Sequence, residues 1–350
     1  GKEGNKEVLY IESFDPASVI KAGEKVLLAD GRIEFRAERI EDNAVYCKVL
    51  AGGLLRSRSG AAVPDSSLDI PALTEKDLED IKWAVENDVD FIALSFVTTE
   101  KDIVLLKEKL AELGASIPII AKIERARSLD HINEIASTAD ALMVARGDLG
   151  LELPLERVPS AQKLTIQTAN SKGTPVITAT QMLVSMVNEV RPTRAEVSDV
   201  HTAVRDGSDC VMLSEETAIG KHPALAVKVL DRIIIEAEKN LSYDYTRKKQ
   251  NVSSTSAIAD AISYAATNAS EKISAAAIIS CTHSGSTAKL IAKYRPEQPL
   301  FAATSEQKTL SKMALYWGII PIHVESSQDI STEEEVIQAM NTVRDLYGLK

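Results

Sequence analysis

From about residue 65 onward, short apolar runs alternate with stretches whose apolar positions recur at helical spacing. The runs at 89–96, 117–123, 141–145, 174–179 and 210–214 read as buried strands. Helical periodicity covers roughly 74–87, 100–113, 128–136, 160–172, 193–206 and 223–239. Thr74 and Asp77 form a start signal for the first of these helices, and Gly173 and Gly207 stand where two others should stop. Five buried strands, each followed by a helix, predict a parallel sheet with right-handed crossovers. Ahead of this region, residues 1–64 read as β. A hairpin is expected around Asp30-Gly31, and Val45, Cys47 and Val49 alternate with polar residues. Residues 240–254 are polar and read as a linker. A third α/β module follows, with helices at about 256–271, 287–293, 308–316 and 332–346. Its strands are expected at 275–280, 299–303 and 319–324.

The chain has 350 residues, a hydrophobic fraction of 45% and a net charge of −11. That length suits two or three domains. The acidic balance argues against general nucleic-acid binding, though it leaves room for an anionic substrate held by local Lys and Arg residues. Cys47, Cys210 and Cys281 are far apart, in apolar contexts, and form neither a disulfide framework nor a zinc spacing. No apolar run is long enough for a membrane span. No leader sequence is expected, and a reducing cytoplasm is the expected compartment.

Polar residues close the strands. Ile119-Ile-Ala-Lys-Ile-Glu-Arg125 ends a buried run in a cation and an anion. Strand alternation points Lys122 and Glu124 the same way. A mutual ion pair is one use for them. The other is a site in which Lys122 meets a phosphate and Glu124 holds a metal. The next run ends in Arg146-Gly147-Asp148 and the one after in Thr180-Gln181. Glu124 and Asp148, on neighbouring strands, suit a hard divalent cation, Mg²⁺ or Mn²⁺. An ammonium beside them suits a migrating phosphoryl group. Gly147 lets backbone N–H groups approach an anion, and Thr180 can donate to an oxyanion or hold a water. Functional residues at the C-terminal ends of successive strands favour a barrel over an open sheet, although five strands do not close an eight-stranded barrel.

The motif set resembles the pyruvate kinase family. Ile119-Ile-Ala-Lys-Ile-Glu-Arg125 is similar to its active-site signature and Met143-Val-Ala-Arg-Gly-Asp-Leu-Gly150 to its metal loop. Ala179-Thr-Gln-Met182, Arg191-Pro-Thr-Arg-Ala-Glu196 and Leu213-Ser-Glu-Glu-Thr-Ala218 follow in the family's order. The resemblance implies an α/β fold. It would comprise a partial TIM (β/α)8 barrel over 65–240, an inserted small β-barrel lid domain over 1–64 and an incomplete C-terminal α/β effector-binding domain over 241–350. It implies phosphoryl transfer from phosphoenolpyruvate to ADP, giving pyruvate and ATP in the last step of glycolysis. Lys122 and Thr180 would be catalytic, and Glu124 and Asp148 would hold Mg²⁺ or Mn²⁺. Lys122, Gly147, Asp148 and Thr180 would bind substrate, and the proton donor to the enolate would be a water or hydroxyl near Thr180. A K⁺ requirement and a homotetramer are further implications. Thr282, Ser284, Gly285, Ser286 and Thr287 resemble the family's phosphate loop for a phosphorylated allosteric effector, or else form an ordinary helix cap.

The chain also departs from the family pattern. Three opening barrel strands are missing, together with the family's Asn-Phe-Ser-His-Gly and Thr-Lys-Gly-Pro-Glu-Ile-Arg motifs. The expectation is therefore a truncated chain, begun inside the lid and stopped before the last strands of the C-terminal domain, poorly soluble and inactive alone. Glu215 stands where the family usually has glycine and either crowds the site mouth or points to solvent. Arg194 and Glu196 sit near the family's subunit contact, or form an internal ion pair on a capped helix. Two rival readings are a metal-dependent aldolase or lyase of the phosphoenolpyruvate/pyruvate type and a non-catalytic phosphometabolite sensor. ADP dependence separates the lyase. The joint presence of Lys122, Glu124, Asp148 and Thr180 speaks against the sensor.

Overall fold

The computed structural model describes residues 4–5, 7–11, 14–29, 31–57, 59–65, 73–239, 241, 257–325 and 332–348. Asp30 lies outside these residues, as does all of the expected linker except residue 241. The first module is a short helix, α1 (Pro16–Val19), and four antiparallel strands, β1 (Lys25–Leu28), β2 (Ile33–Glu41), β3 (Ala44–Ala51) and β4 (Ala61–Ala62), in the order β3-β2-β1-β4. β1 and β2 form the expected hairpin, with Leu28 opposite Ile33. Gly31 in its turn has φ +75°, and a Cβ there would lie 2.9 Å from Leu151 Cδ2 of the second module. Glycine thus meets both the left-handed backbone and the close approach.

The second module is the five-stranded sheet: β5 (Ile92–Leu94), β6 (Ile119–Ile123), β7 (Ala141–Ala145), β8 (Val176–Ala179) and β9 (Cys210–Met212), all parallel and paired in sequence order. Its helices are α2 (Glu75–Glu86), α3 (Glu100–Glu112), α4 (Ile132–Thr138), α5 (Arg146–Glu152), α6 (Val158–Lys172), α7 (Arg194–Asp206), α8 (Glu215–Ala218) and α9 (Pro223–Glu238). Thr74 and Asp77 close a capping box on α2, as Thr193 and Glu196 do on α7. α6 and α7 stop at Gly173 and Gly207, both left-handed. Strand alternation sorts the core. Ile119, Ala121 and Ile123 join Leu106, Ile135, Leu142 and Ile166 beneath the helices, while Ile120 joins Met143 and Ile177 on the opposite face.

Elements near the site differ from expectation. The strand expected over 89–96 is confined to Ile92–Leu94, and its C-terminal end lies just before Phe96, which is left-handed with φ +54°. The helix near 128–136 is divided into a 3₁₀ turn, Ala126–Leu129, and α4. Arg146-Gly147-Asp148 is the first turn of α5, which follows β7 without an intervening loop.

The third module has a parallel sheet of β10 (Ile278–Cys281), β11 (Leu300–Thr304) and β12 (Ile319–His323), with α10 (Ala257–Lys272), α11 (Ser286–Lys293), α12 (Gln307–Met313) and α13 (Thr332–Tyr347). Arg295 ties it to the second module. Its Nη2 lies 3.1 Å from Asp209 Oδ1 and donates to Gly207 O at 2.8 Å and Asn170 Oδ1 at 3.1 Å. Asp209 also accepts Val176 N at 2.9 Å and Trp317 N at 3.2 Å. Among the described residues, no helix is long and apolar enough to cross a membrane.

Candidate active site

The site is built on the C-terminal ends of four adjacent strands. β5 delivers Ser95 and Phe96, β6 delivers Lys122 and Glu124, β7 runs into Gly147 and Asp148, and β8 runs into Thr180. Lys122 Nζ lies 2.7 Å from Glu124 Oε1, and the two side chains are 24% and 1% exposed. The expected mutual ion pair is therefore present. A carboxylate buried this far requires its partners, and Glu124 has a second one, Phe96 N–H donating to Oε2 at 2.7 Å. Lys122 also donates to Ser95 Oγ at 2.8 Å.

Thr180 and Gln181 are both left-handed, with φ +69° and +54°. A β-branched residue in that region is strained and must be held there. The hold comes from α5. Gly147 N donates to Thr180 Oγ1 at 2.8 Å. Arg146 donates to Thr180 O through Nη2 at 2.7 Å and through Nε at 3.3 Å. Asp199 on α7 fixes Arg146 in turn, accepting from Nη1 at 2.6 and 2.8 Å. Glu216, buried in α8, accepts Leu183 N at 2.9 Å and Ser214 N at 2.8 Å, so it pins the segment after Thr180 to the end of β9. Ser95, the Phe96 amide, Arg146, Asp199 and Glu216 had no role in the sequence reading. Ser95 was within reach of it, since it closes a strand as Lys122 does. Asp199 and Glu216 act through contacts that carry no local signal.

Glu124 follows β6 and Asp148 lies in the first turn of α5 after β7, two strands joined in register at Ile123 and Val144. Among the described residues, no group of three or more His, Cys, Asp or Glu side chains forms a metal cage. Glu196 is held by Ser185 and Thr193, whose hydrogen bonds shorten to 2.6 and 2.7 Å. Burial alone would raise its carboxyl, but these hydrogen bonds outweigh it and hold the carboxyl below the usual range. The carboxylate is thus used in the cap and on Ser185, and the internal ion pair expected with Arg194 is not among those of the described residues. Glu215 is exposed in the first turn of α8, as the solvent-facing alternative required.

In the third module, Thr282 Oγ1 accepts Gly285 N at 3.0 Å and Ser284 Oγ donates to Ser286 Oγ at 3.1 Å. His283, Ser284, Ser286 and Thr287 are exposed at the start of α11, while Gly285 is buried with φ +81°.

The family described as "Pyruvate kinase, barrel domain" matches residues 1–227, and "Pyruvate kinase, alpha/beta domain" matches residues 260–348. A protein named Pyruvate kinase 2 from Synechocystis sp. is 43% identical over 335 residues, 94% of this chain and 56% of its own length. A pyruvate kinase from Clostridium perfringens is 43% identical over 304 residues, 86% of this chain and 64% of its own. A crystal structure of a pyruvate kinase from Cryptosporidium parvum is similar with a TM-score of 0.89 at 35% identity, over 97% of this chain and 71% of that one. The chain thus spans between about half and two thirds of the length of those two curated relatives.

Proposed function

Because this chain belongs to the pyruvate kinase family, we propose that its protein transfers the phosphoryl group of phosphoenolpyruvate to ADP, yielding pyruvate and ATP, as a cytoplasmic enzyme of glycolysis. The observation that carries the reading is the Lys122–Glu124 pair at the end of β6, beside the Gly147–Thr180 contact between β7 and β8. Phosphoryl transfer through a loose transition state needs positioning and charge neutralisation more than a protein nucleophile. Lys122 supplies a cation, and the N–H groups at the start of α5, with Thr180, receive the carboxylate of the substrate. A hydroxyl or water held at Thr180 is the proposed source of the proton that converts the enolate to pyruvate.

Glu124 and Asp148 are the proposed ligands of Mg²⁺ or Mn²⁺. Two carboxylates rather than a full cage fit a hard cation that keeps waters and takes substrate oxygens. Such an ion, when bound, would supply Lewis-acid stabilisation of the enolate oxygen. We divide the chain into a lid over 1–64, a catalytic barrel region over 65–240 and an effector domain over 241–350. The hydroxyls of Thr282, Ser284, Ser286 and Thr287 would receive a phosphorylated effector, with Gly285 letting the backbone turn. K⁺ dependence and a homotetramer belong to the same proposal.

The test is pyruvate formation from phosphoenolpyruvate and ADP with Mg²⁺. It is run on this chain and on a longer one that spans the full length of the relatives, each with and without Lys122→Met. Activity in the longer protein that Lys122→Met abolishes is the expected result. A folded, soluble, full-length protein that forms no pyruvate would refute the assignment.

A further inference from the structure

An ammonium has three protons to give. The fold fixes two of those of Lys122, one on Glu124 Oε1 at 2.7 Å and one on Ser95 Oγ at 2.8 Å. These two contacts differ in kind. Glu124 is an anion and neutralises the charge it holds. Each oxygen of Glu124 accepts one hydrogen bond, Oε1 from the Lys122 ammonium and Oε2 from Phe96 N–H, and a cation bound at this carboxylate would compete with the charged ammonium for it. The Lys122–Glu124 contact is thus the one that competes with cation binding. Ser95 is a neutral acceptor, holds the ammonium without cancelling its charge, and stands outside that competition.

The segment that presents Ser95 is itself fixed. Phe96 is left-handed at φ +54°, a conformation that costs an ordinary residue roughly 1–2 kcal/mol. Its N–H is anchored on Glu124, and its ring lies 5.1 Å beneath the guanidinium of Arg125. Arg125 pairs in turn with Glu152 at 3.2 Å. The strain is placed one residue after Ser95, where it turns the chain out of β5 and leaves the hydroxyl at the strand end facing Lys122.

We infer that Ser95 is a positioning residue: its hydroxyl holds Lys122 Nζ so that the third ammonium proton faces the phosphoryl group. The inference rests on the phosphoryl-transfer reading above and adds the element that keeps the cation aimed once Glu124 serves the metal.

Binding on the longer protein that spans the full length of the relatives tests it without requiring turnover. Mn²⁺ affinity is read by electron paramagnetic resonance, and phosphoenolpyruvate affinity by calorimetry at saturating Mn²⁺. Ser95→Ala is expected to weaken phosphoenolpyruvate about tenfold, the scale of one charge-assisted hydrogen bond, with Mn²⁺ affinity unchanged. Ser95→Thr, which keeps the hydroxyl, should stay within about twofold of the parent. In a Lys122→Met background, whose residual binding through α5 and Thr180 sets the baseline, Ser95→Ala should cost nothing more, because it acts through the missing ammonium. An equal loss with and without Lys122, or a parallel loss of Mn²⁺ affinity, would overturn the inference. If Ser95→Ala does not fold, Ser95→Cys, slightly larger and a weaker acceptor, takes its place. A folded, full-length parent that binds neither Mn²⁺ nor phosphoenolpyruvate fails before any variant is made. That result refutes the functional reading itself, and the role of Ser95 with it.

Discussion

Replacing Arg295 with Met should loosen the third module from the second. The side chains of Arg295 and Asp209 are 7% and 9% exposed, and they meet at 3.1 Å. Breaking a buried pair from one side costs about 3–5 kcal/mol, because the remaining charge stays buried. Two terms reduce that figure. Asp209 keeps the N–H groups of Val176 and Trp317, and a Met stem preserves part of the packing under the Trp317 ring, which lies 5.1 Å from the guanidinium. Against them stand two acceptors, Asn170 Oδ1 and Gly207 O, that lose their donor. A net loss of about 3 kcal/mol follows, roughly a hundredfold in the folding equilibrium. The assay is urea unfolding followed by the fluorescence of Trp317 in a Trp83→Phe background, Trp83 being 60% exposed and therefore replaceable at little cost. Combining Arg295→Met with Asp209→Asn should recover about 1 kcal/mol or more relative to the sum of the two single changes. A loss below about 1 kcal/mol, or strict additivity, would refute the claim that this pair carries the junction.

Arg146→Lys cannot reach both Thr180 O and Asp199 as the guanidinium does, so phosphoenolpyruvate binding in calorimetry should weaken at least about tenfold and the thermal midpoint should fall. Glu196 titrates below its ordinary value in the folded chain. Its contribution to stability is therefore full above the unfolded carboxyl value and is lost as pH falls through the folded one. The Glu196→Gln variant should show a shallower acid limb in a plot of unfolding midpoint against pH. Gly285→Ala places a Cβ 3.1 Å from Met313 Cγ at φ +81° and should destabilise by about 1–2 kcal/mol in thermal unfolding. Cys210, whose thiol is pushed up to about 12 mainly by burial, with Asp209 adding to it, should resist iodoacetamide at pH 8 until the chain unfolds, as read by mass spectrometry of the labelled peptides.

The repeating part of the fold was legible because each crossover carries its own punctuation. Thr74, Gly173, Thr193 and Gly207 mark helix ends through local chemistry and need no tertiary context. Lys122, Glu124, Asp148 and Thr180 were legible as candidates for a related reason: charged or hydroxyl groups at the ends of buried runs need partners. The helix at Arg146 was not legible, since Gly147 and Gly150 lower its propensity and Ala145 gives it no capping side chain. Its stability comes from Arg146 gripping Thr180 and Asp199, residues distant in the sequence. Phe96 could not be foreseen as left-handed, because the carboxylate that anchors its N–H lies 28 residues further on. Arg295 reads as one loop cation among many, and Asp209, which gives it its role, lies in another module.

The strictly sequential order of β5 to β9 also bears on how the chain folds. In this sheet no strand can pair with its neighbour through a tight turn, since each ladder closes only across an intervening helix. Every new ladder therefore carries the entropy of closing a long loop before its contacts reward it, which predicts slow folding for this region compared with the β1–β2 hairpin. During synthesis β6 can dock on β5 as soon as it has emerged behind α3, and the sheet can grow in the direction of the ribosome. Asp209 is the exception to this vectorial order. It engages Val176 early but must wait for Arg295 and Trp317, so the junction between modules forms only once much of the third module has been made.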